Sequence, residues 1–203
     1  VISPQATFDA LELTGAVGDI GGGVTLSELQ VLDYLACLLS VYAGADPQIW
    51  GFGFSVTDTG APFARELAEA IDGLLVTGWL VRYERVYRLT PSGEIELGFQ
   101  RGLAPNRWRL RYLSGSASAA VSMPLPALSD ALAHEPGLRR ALEYVRRRRL
   151  LDATSLELVS RQFAALTEGL GRNPADHEDL MVPAVVWLTY LARGHGSSGA
   201  RAA

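Results

Sequence analysis

The stretch from Thr59 to Leu97 constrains this chain more than any other. Phe63, Leu67, Ile71 and Leu74 recur at helical spacing and leave Arg65, Glu66, Glu69 and Asp72 for solvent. Pro62 suits the first turn of that helix, where its missing N–H would be unpaired anyway. Gly78 predicts the stop. Trp79–Tyr83 and Val86–Leu89 are rich in aromatic and β-branched residues with polar Glu84 and Arg85 between them, which predicts a tight hairpin. Thr90-Pro91-Ser92-Gly93 has the residue types of a turn.

On the N-terminal side, Ser3-Pro4 opens a short helix with Ser3 as its cap. Gly15–Gly23 reads as a flexible link, since Asp19-Ile20-Gly21-Gly22-Gly23 lacks the spacing and the Lys-Ser/Thr pair of a phosphate loop. Thr25 and Glu28 form a capping box for a helix running to about Tyr42. That helix is apolar on more than one face and so is buried on most sides. Ile49–Val56 alternates as a strand whose aromatics belong to the core. Arg107–Leu113 alternates strictly; as a strand it places Arg107, Arg109 and Arg111 on one face, about 7 Å apart, over buried Trp108, Leu110 and Tyr112. Ser114–Ser122 is small and polar, as linkers are.

Three helices follow: Pro126–His134, Leu138–Leu151 with the run Arg146-Arg147-Arg148-Arg149, and one from Thr154 with Glu157 in a second capping box. A last helix follows Ala175, with Pro183 near its start or at a kink, and Gly194–Ala203 has the composition of a disordered tail. The expected divisions are an N-terminal segment and linker (1–24), a first domain (25–113), a helical extension (114–193) and the tail (194–203).

Composition excludes some classes. With 48% hydrophobic residues in 203, the chain can bury a sizeable core as one elaborated domain or two small ones. No run reaches the roughly 20 apolar residues of a membrane span, and the start lacks the basic region of a signal peptide. Cys37 is the single cysteine, so it reads as a buried small hydrophobe in a reducing compartment, and the cytoplasm is the expected location. The net charge of −4 conceals a gradient: residues 1–80 hold ten acids and one arginine, whereas residues 81–113 hold seven arginines and three acids. An acidic first face and a basic wing region suit different partners. His177-Glu178-Asp179 lacks both a helical pair of ligands and a second cluster at zinc spacing, and no nucleophile elbow occurs. No catalytic residue, metal or cofactor is therefore expected.

A helix followed at once by a hairpin is the second half of a winged helix. The run Leu89-Thr90-Pro91-Ser92-Gly93 resembles the end of the wing in MarR- and PadR-like winged-helix regulators. Within that superfamily, Phe52-Gly53-Phe54, Gly60-Ala61-Pro62-Phe63 and Leu67 are similar to the Panacea-type antitoxin domain, with Ala61 standing between the glycine and the proline. The resemblance covers Leu26 to Leu97. It implies an α+β winged helix with a small β-hairpin or three-stranded sheet, followed here by a helical C-terminal extension.

The function implied is a non-catalytic interaction protein: an antitoxin-like regulator, or an adaptor subunit of a bacterial multi-component system, bound to a protein partner. The helix before the wing favours this, because three outward acids against one base are repelled by phosphate. The alternative is a DNA-binding transcriptional regulator that contacts DNA through Arg82, Arg85 and Arg88, aided by Arg107, Arg109 and Arg111, with Arg146, Arg147, Arg148 and Arg149 as secondary contacts. A small-ligand binder or enzyme built on Trp50–Phe54 is the third reading. A homodimer through the C-terminal helices is expected, and no membrane contact.

Overall fold

Helix α2 (Leu26–Tyr42) is apolar all round, and every residue from Leu29 to Ser40 is buried. The computed structural model describes residues 2–142, 149–171 and 179–193, with the backbone alone for 19–21. Its helices dominate, and the capping box that starts α2 is complete: Thr25 N–H donates to Glu28 Oε2 at 2.7 Å and Glu28 N–H to Thr25 Oγ1 at 3.3 Å. Helix α1 (Pro4–Gly21) is capped by Ser3 as expected, but it continues through the presumed link. Gly15 is a packing residue there, since a Cβ would come within 3.0 Å of both Leu89 and Leu97.

After α2, the Ile49–Val56 strand is replaced by a 3-10 turn over Pro47–Trp50, capped by Asp46, and by a two-residue strand β2 (Ser55–Val56). β2 pairs with β3 (Pro62–Phe63), so Pro62 lies in a strand and not in a helical turn. Helix α3 (Arg65–Val76) buries Leu67, Ala70, Ile71 and Leu74. Ala64 has no side-chain cap to offer at its start; the buried Gln30 amide takes that place, donating to Ala64 O at 2.9 Å and accepting from Ala64 N at 2.7 Å. One side chain of α2 thereby fixes where α3 begins. Gly78 ends α3 at φ +71, with Trp79 N–H on Leu74 O and Gly78 N–H on Leu75 O, a double closure that needs a residue free to turn left-handed.

The hairpin forms as expected, β4 (Leu80–Tyr83) against β5 (Val86–Leu89). Short β1 (Val24–Thr25) joins it, giving an antiparallel sheet ordered β1-β5-β4. Thr90–Gly93 is no turn: it starts helix α4 (Pro91–Gly102), with Thr90 as cap and Pro91 in the first turn.

The strand read over Arg107–Leu113 and the linker read over Ser114–Ser122 are together one helix, α5 (Ala104–Ser122), packed on α1, α2 and the last helix. Small residues permit close approach: a Cβ on Gly115 would come within 2.7 Å of Leu180, and Ser116 donates to Leu32 O at 2.6 Å. Then come α6 (Leu125–Leu132), α7 (Pro136–Leu142), α8 (Ala153–Leu170) and α9 (Met181–Arg193), with Pro183 in the first turn of α9. The helix expected over Leu138–Leu151 does not reach its end, because Arg149 bridges Ser55 and Leu150 N–H donates to Phe54 O at 2.8 Å. Helix α8 is capped by Asp152 in place of Thr154, and Glu157 pairs with Arg161. Among the described residues no helix is long and apolar enough to cross a membrane. His177, Glu178, Arg146–Arg148 and the tail from Gly194 lie outside the described residues.

Candidate functional site

The hairpin projects because only its base is buried. Leu80 and Tyr87 face the core, while Arg82, Tyr83, Glu84, Arg85 and Arg88 are exposed. Glu84 turns the chain at φ +54. The register sets Arg82 opposite Tyr87 and Arg88 opposite Val81. Opposed residues share a face and successive ones alternate, so Arg82 and Arg88 point to opposite sides of the ribbon with Arg85 at the tip. Arg88 stacks over Tyr83 at 5.5 Å. The three hairpin arginines therefore ring the tip and do not form one flat patch.

On α3, Arg65, Glu69, Asp72 and Val76 lie along one stripe, all exposed. Arg65 and Glu69 form an i,i+4 pair at 3.5 Å. Asp72 is the next charge along the stripe, and Val76 beyond it is 88% exposed. This face is acidic to apolar.

Behind the hairpin, a cleft of about 470 Å³ opens between α1, β5 and α4, with Arg88, Glu94 and Arg101 at its edges. Arg101 is held bidentately by Glu12, with Nε on Oε2 at 2.7 Å and Nη2 on Oε1 at 2.8 Å. That pairing raises the Arg101 pKa and spends its hydrogen-bonding fork on the protein itself.

The remaining arginines separate by helical geometry. Arg107 is exposed on the first turn of α5, donating to Gly102 O at 3.3 Å. Arg111 is half-buried, 6.0 Å from the Tyr112 ring. Arg109 is fully buried, which removes it from any surface. Its Nε donates to Asp9 Oδ1 at 2.7 Å, Nη2 meets Asp9 Oδ2, and Nη1 donates to Trp50 O at 2.8 Å. Its guanidinium lies 3.9 Å over the buried Trp50 ring. Arg149 is exposed, with its guanidinium close to Gly53.

Asp33, in the middle of α2, is also fully buried, beside Asp9. Burial pushes its carboxyl well above the usual range, and the Asp9 charge pushes it further. Burial raises Asp9 too, but there Arg109 pulls back through charge and hydrogen bonds. One arginine thus serves two acids, and Asp33 is the one whose carboxyl is pushed further up. Between the ordinary carboxyl pKa of the unfolded chain and the raised native one, unfolding releases a proton, so stability falls as pH rises through that window. Asp33→Asn keeps the shape without the titration. It is expected to be more stable than the parent near neutral pH and to lose that advantage by about pH 3, read from denaturant midpoints; an advantage independent of pH refutes the assignment.

Sequence reasoning missed Asp9, Glu12 and Asp33 as partners for arginines. The signal was there: acids inside helices otherwise apolar. It also missed Glu135, fully buried, which accepts from Gly137 N and Leu138 N at 2.8 Å and from Tyr34 OH at 3.0 Å, tying α7 to α2.

Near Trp50–Phe54 there is a second cleft of about 310 Å³, bordered by Cys37, Phe52, Phe54, Arg149 and Asp152. Burial pushes the Cys37 thiol well up, which makes it a poor nucleophile. Asp152 accepts the Ser155 N–H as a helix cap. Among the described residues no group of three or more His, Cys, Asp or Glu could hold a metal ion. No protein-family model, curated protein or solved structure matches this chain.

Proposed function

We propose that this chain is a winged-helix interaction module of the cytoplasm, without catalysis of its own. It works as an antitoxin-like regulator or an adaptor subunit, and it engages a protein partner. The order α1, β1, α2, α3, β4, β5 with β1 beside β5 supports the winged-helix reading. The observation that carries the choice of partner is the exposed stripe of α3. In DNA-binding winged helices this helix enters the major groove and offers basic or amide side chains. Here the only base on the stripe, Arg65, is paired with Glu69, and Asp72 and Val76 follow. An acidic, partly apolar ridge is repelled by phosphate and suits a protein surface with arginines or lysines around an apolar centre.

One observation favours DNA, the exposure of Arg82, Arg85 and Arg88 around the wing. Binding to random-sequence duplex DNA across a salt titration separates the two. The expected result is no measurable binding by the parent protein even at low salt. The double variant Glu69→Arg/Asp72→Arg is expected to bind, with affinity falling steeply with salt at a slope of about −0.9 per phosphate neutralised. Tight, salt-sensitive binding by the parent protein would overturn the protein-partner reading and promote the wing arginines to the contact surface.

A further inference from the structure

Helix α9 carries a second surface, unrelated to the wing. Its inner side is fully used: Pro183, Ala184, Trp187, Leu188 and Leu191 are buried against the rest of the protein. Its outer side is equally apolar but uncovered, with Val182 47%, Val186 41% and Tyr190 60% exposed. No charge occurs from Met181 to Ala192. Charges stand only at the two ends, an exposed Asp179 whose carboxylate accepts the Met181 N–H at 2.8 Å, and an exposed Arg193 in the last turn.

The spacing of these five residues is symmetric. At about 100° per residue, Val182, Val186, Tyr190 and Arg193 fall within an arc of about 80°, and Asp179 stands two residues before the helix begins. Val182 and Tyr190 are equidistant in sequence from Val186, and so are Asp179 and Arg193. An antiparallel copy of the same helix, related by a two-fold axis through Val186, therefore meets Val182 with Tyr190, twice, and brings the acidic Asp179 end of each helix to the basic Arg193 end of the other. The small valine at the axis suits the helix separation of about 8–10 Å seen in packed pairs. Alongside runs an apolar groove of about 350 Å³ between α8 and α9, lined by Ala165, Leu166, Gly169 and Leu170 with Val186 and Tyr190. Nothing lies within 4 Å of where a Gly169 side chain would begin, so the groove has room for side chains from the opposing helix.

We infer that the outer face of α9 is an isologous interface and that its occupant is α9 of a second copy of this chain. The apolar stripe needs an apolar partner, and the opposite charges at its ends are complementary to the same stripe reversed.

The test is sedimentation equilibrium of the full chain with variants at these positions. A dimer is expected for the parent protein. Val186→Arg sets two like charges on the axis and is expected to raise the dissociation constant at least about 100-fold with an unchanged circular-dichroism spectrum. Asp179→Arg and Arg193→Asp are each expected to weaken the dimer about tenfold, and combining them in one chain is expected to restore it. A parent protein that remains monomeric overturns the inference, whether α9 then proves to hold an unrelated protein or nothing. So does a dimer indifferent to Val186→Arg. A double variant no better than the singles overturns the antiparallel register.

Discussion

Arg109→Met is expected to cost about 3–5 kcal/mol of folding stability, among the largest effects of any single change in this chain. Methionine is long enough to keep much of the contact with the buried Trp50 ring, so lost packing is the smaller part of the cost. The larger part is electrostatic. Asp9 is fully buried and takes two hydrogen bonds from the guanidinium, and Asp33 is buried beside it. Removing the cation leaves two carboxyls in an apolar interior with no compensating charge, and strands the Trp50 carbonyl that Arg109 Nη1 satisfied. Breaking such a pair from one side is far costlier than replacing both partners. Asp9→Leu combined with Arg109→Met is accordingly expected to recover most of the loss. Denaturant unfolding of the three proteins decides it. A single variant within about 1 kcal/mol of the parent would mean that the buried pair contributes little beyond its shape. The same result governs how binding data are read. Loss of partner binding on changing Arg109 would report a damaged core, whereas loss on changing Arg82 or Arg85 reports a surface.

Arg109 also illustrates what the sequence could and could not reveal. Arginine, tryptophan, arginine, leucine, arginine, tyrosine is a strand pattern by period, and over seven residues a period of two is easily met by accident. What decides the matter lies outside the window. Pro105 sits at a helix start, and the small residues from Ser114 to Ala120 allow α5 to approach α2 closely, as Gly115 and Ser116 do. Read alone, that small and polar composition imitates a linker. The buried face of α5 forms only when α1 and α2 are present to cover it, so tertiary contact and not local preference sets the structure there. The reverse holds for α2, α3 and the hairpin. A capping box, a spaced apolar face, a glycine stop and aromatic strands are local signals, and each appears where its residues predict except at the start of α3, where Pro62 and Phe63 belong to β3. Glu69 and Asp72 were legible as outward-facing for the same reason. The pairing of Asp9 with Arg109 joins residues 100 apart in sequence, and no spacing rule reaches that far.

The run that carried the family resemblance, Leu89-Thr90-Pro91-Ser92-Gly93, acquires a physical meaning from its place in the fold. Thr90 caps α4 by accepting the Gly93 N–H at 3.1 Å. It also clasps the base of the hairpin: Thr90 N–H donates to Trp79 O at 3.0 Å and its hydroxyl donates to Gly78 O at 2.7 Å. That clasp draws the first turn of α4 onto the Trp79 peptide, and Gly93 is the residue that meets it. A Cβ at Gly93 would collide with the Trp79 carbonyl oxygen, a backbone atom that no rotamer change can move. The glycine is needed for closeness and not for a left-handed conformation, since it lies within the helix. Gly93→Ala is therefore expected to destabilise the protein by about 3 kcal/mol or more, with the hairpin displaced from α4. Gly98, five residues along the same helix, is the internal control: it is exposed, and nothing lies within 4 Å of where an alanine methyl would stand. Gly98→Ala is expected to stabilise by about 0.5–1 kcal/mol, because alanine loses less backbone entropy in a helix. Opposite signs for the same substitution on one helix cannot come from helix propensity, which favours alanine at both sites. Thermal or denaturant melts of the two variants measure it directly. If Gly93→Ala proves neutral, α4 is not seated on the hairpin through Trp79, and the clasp by Thr90 is not what fixes the hairpin's angle.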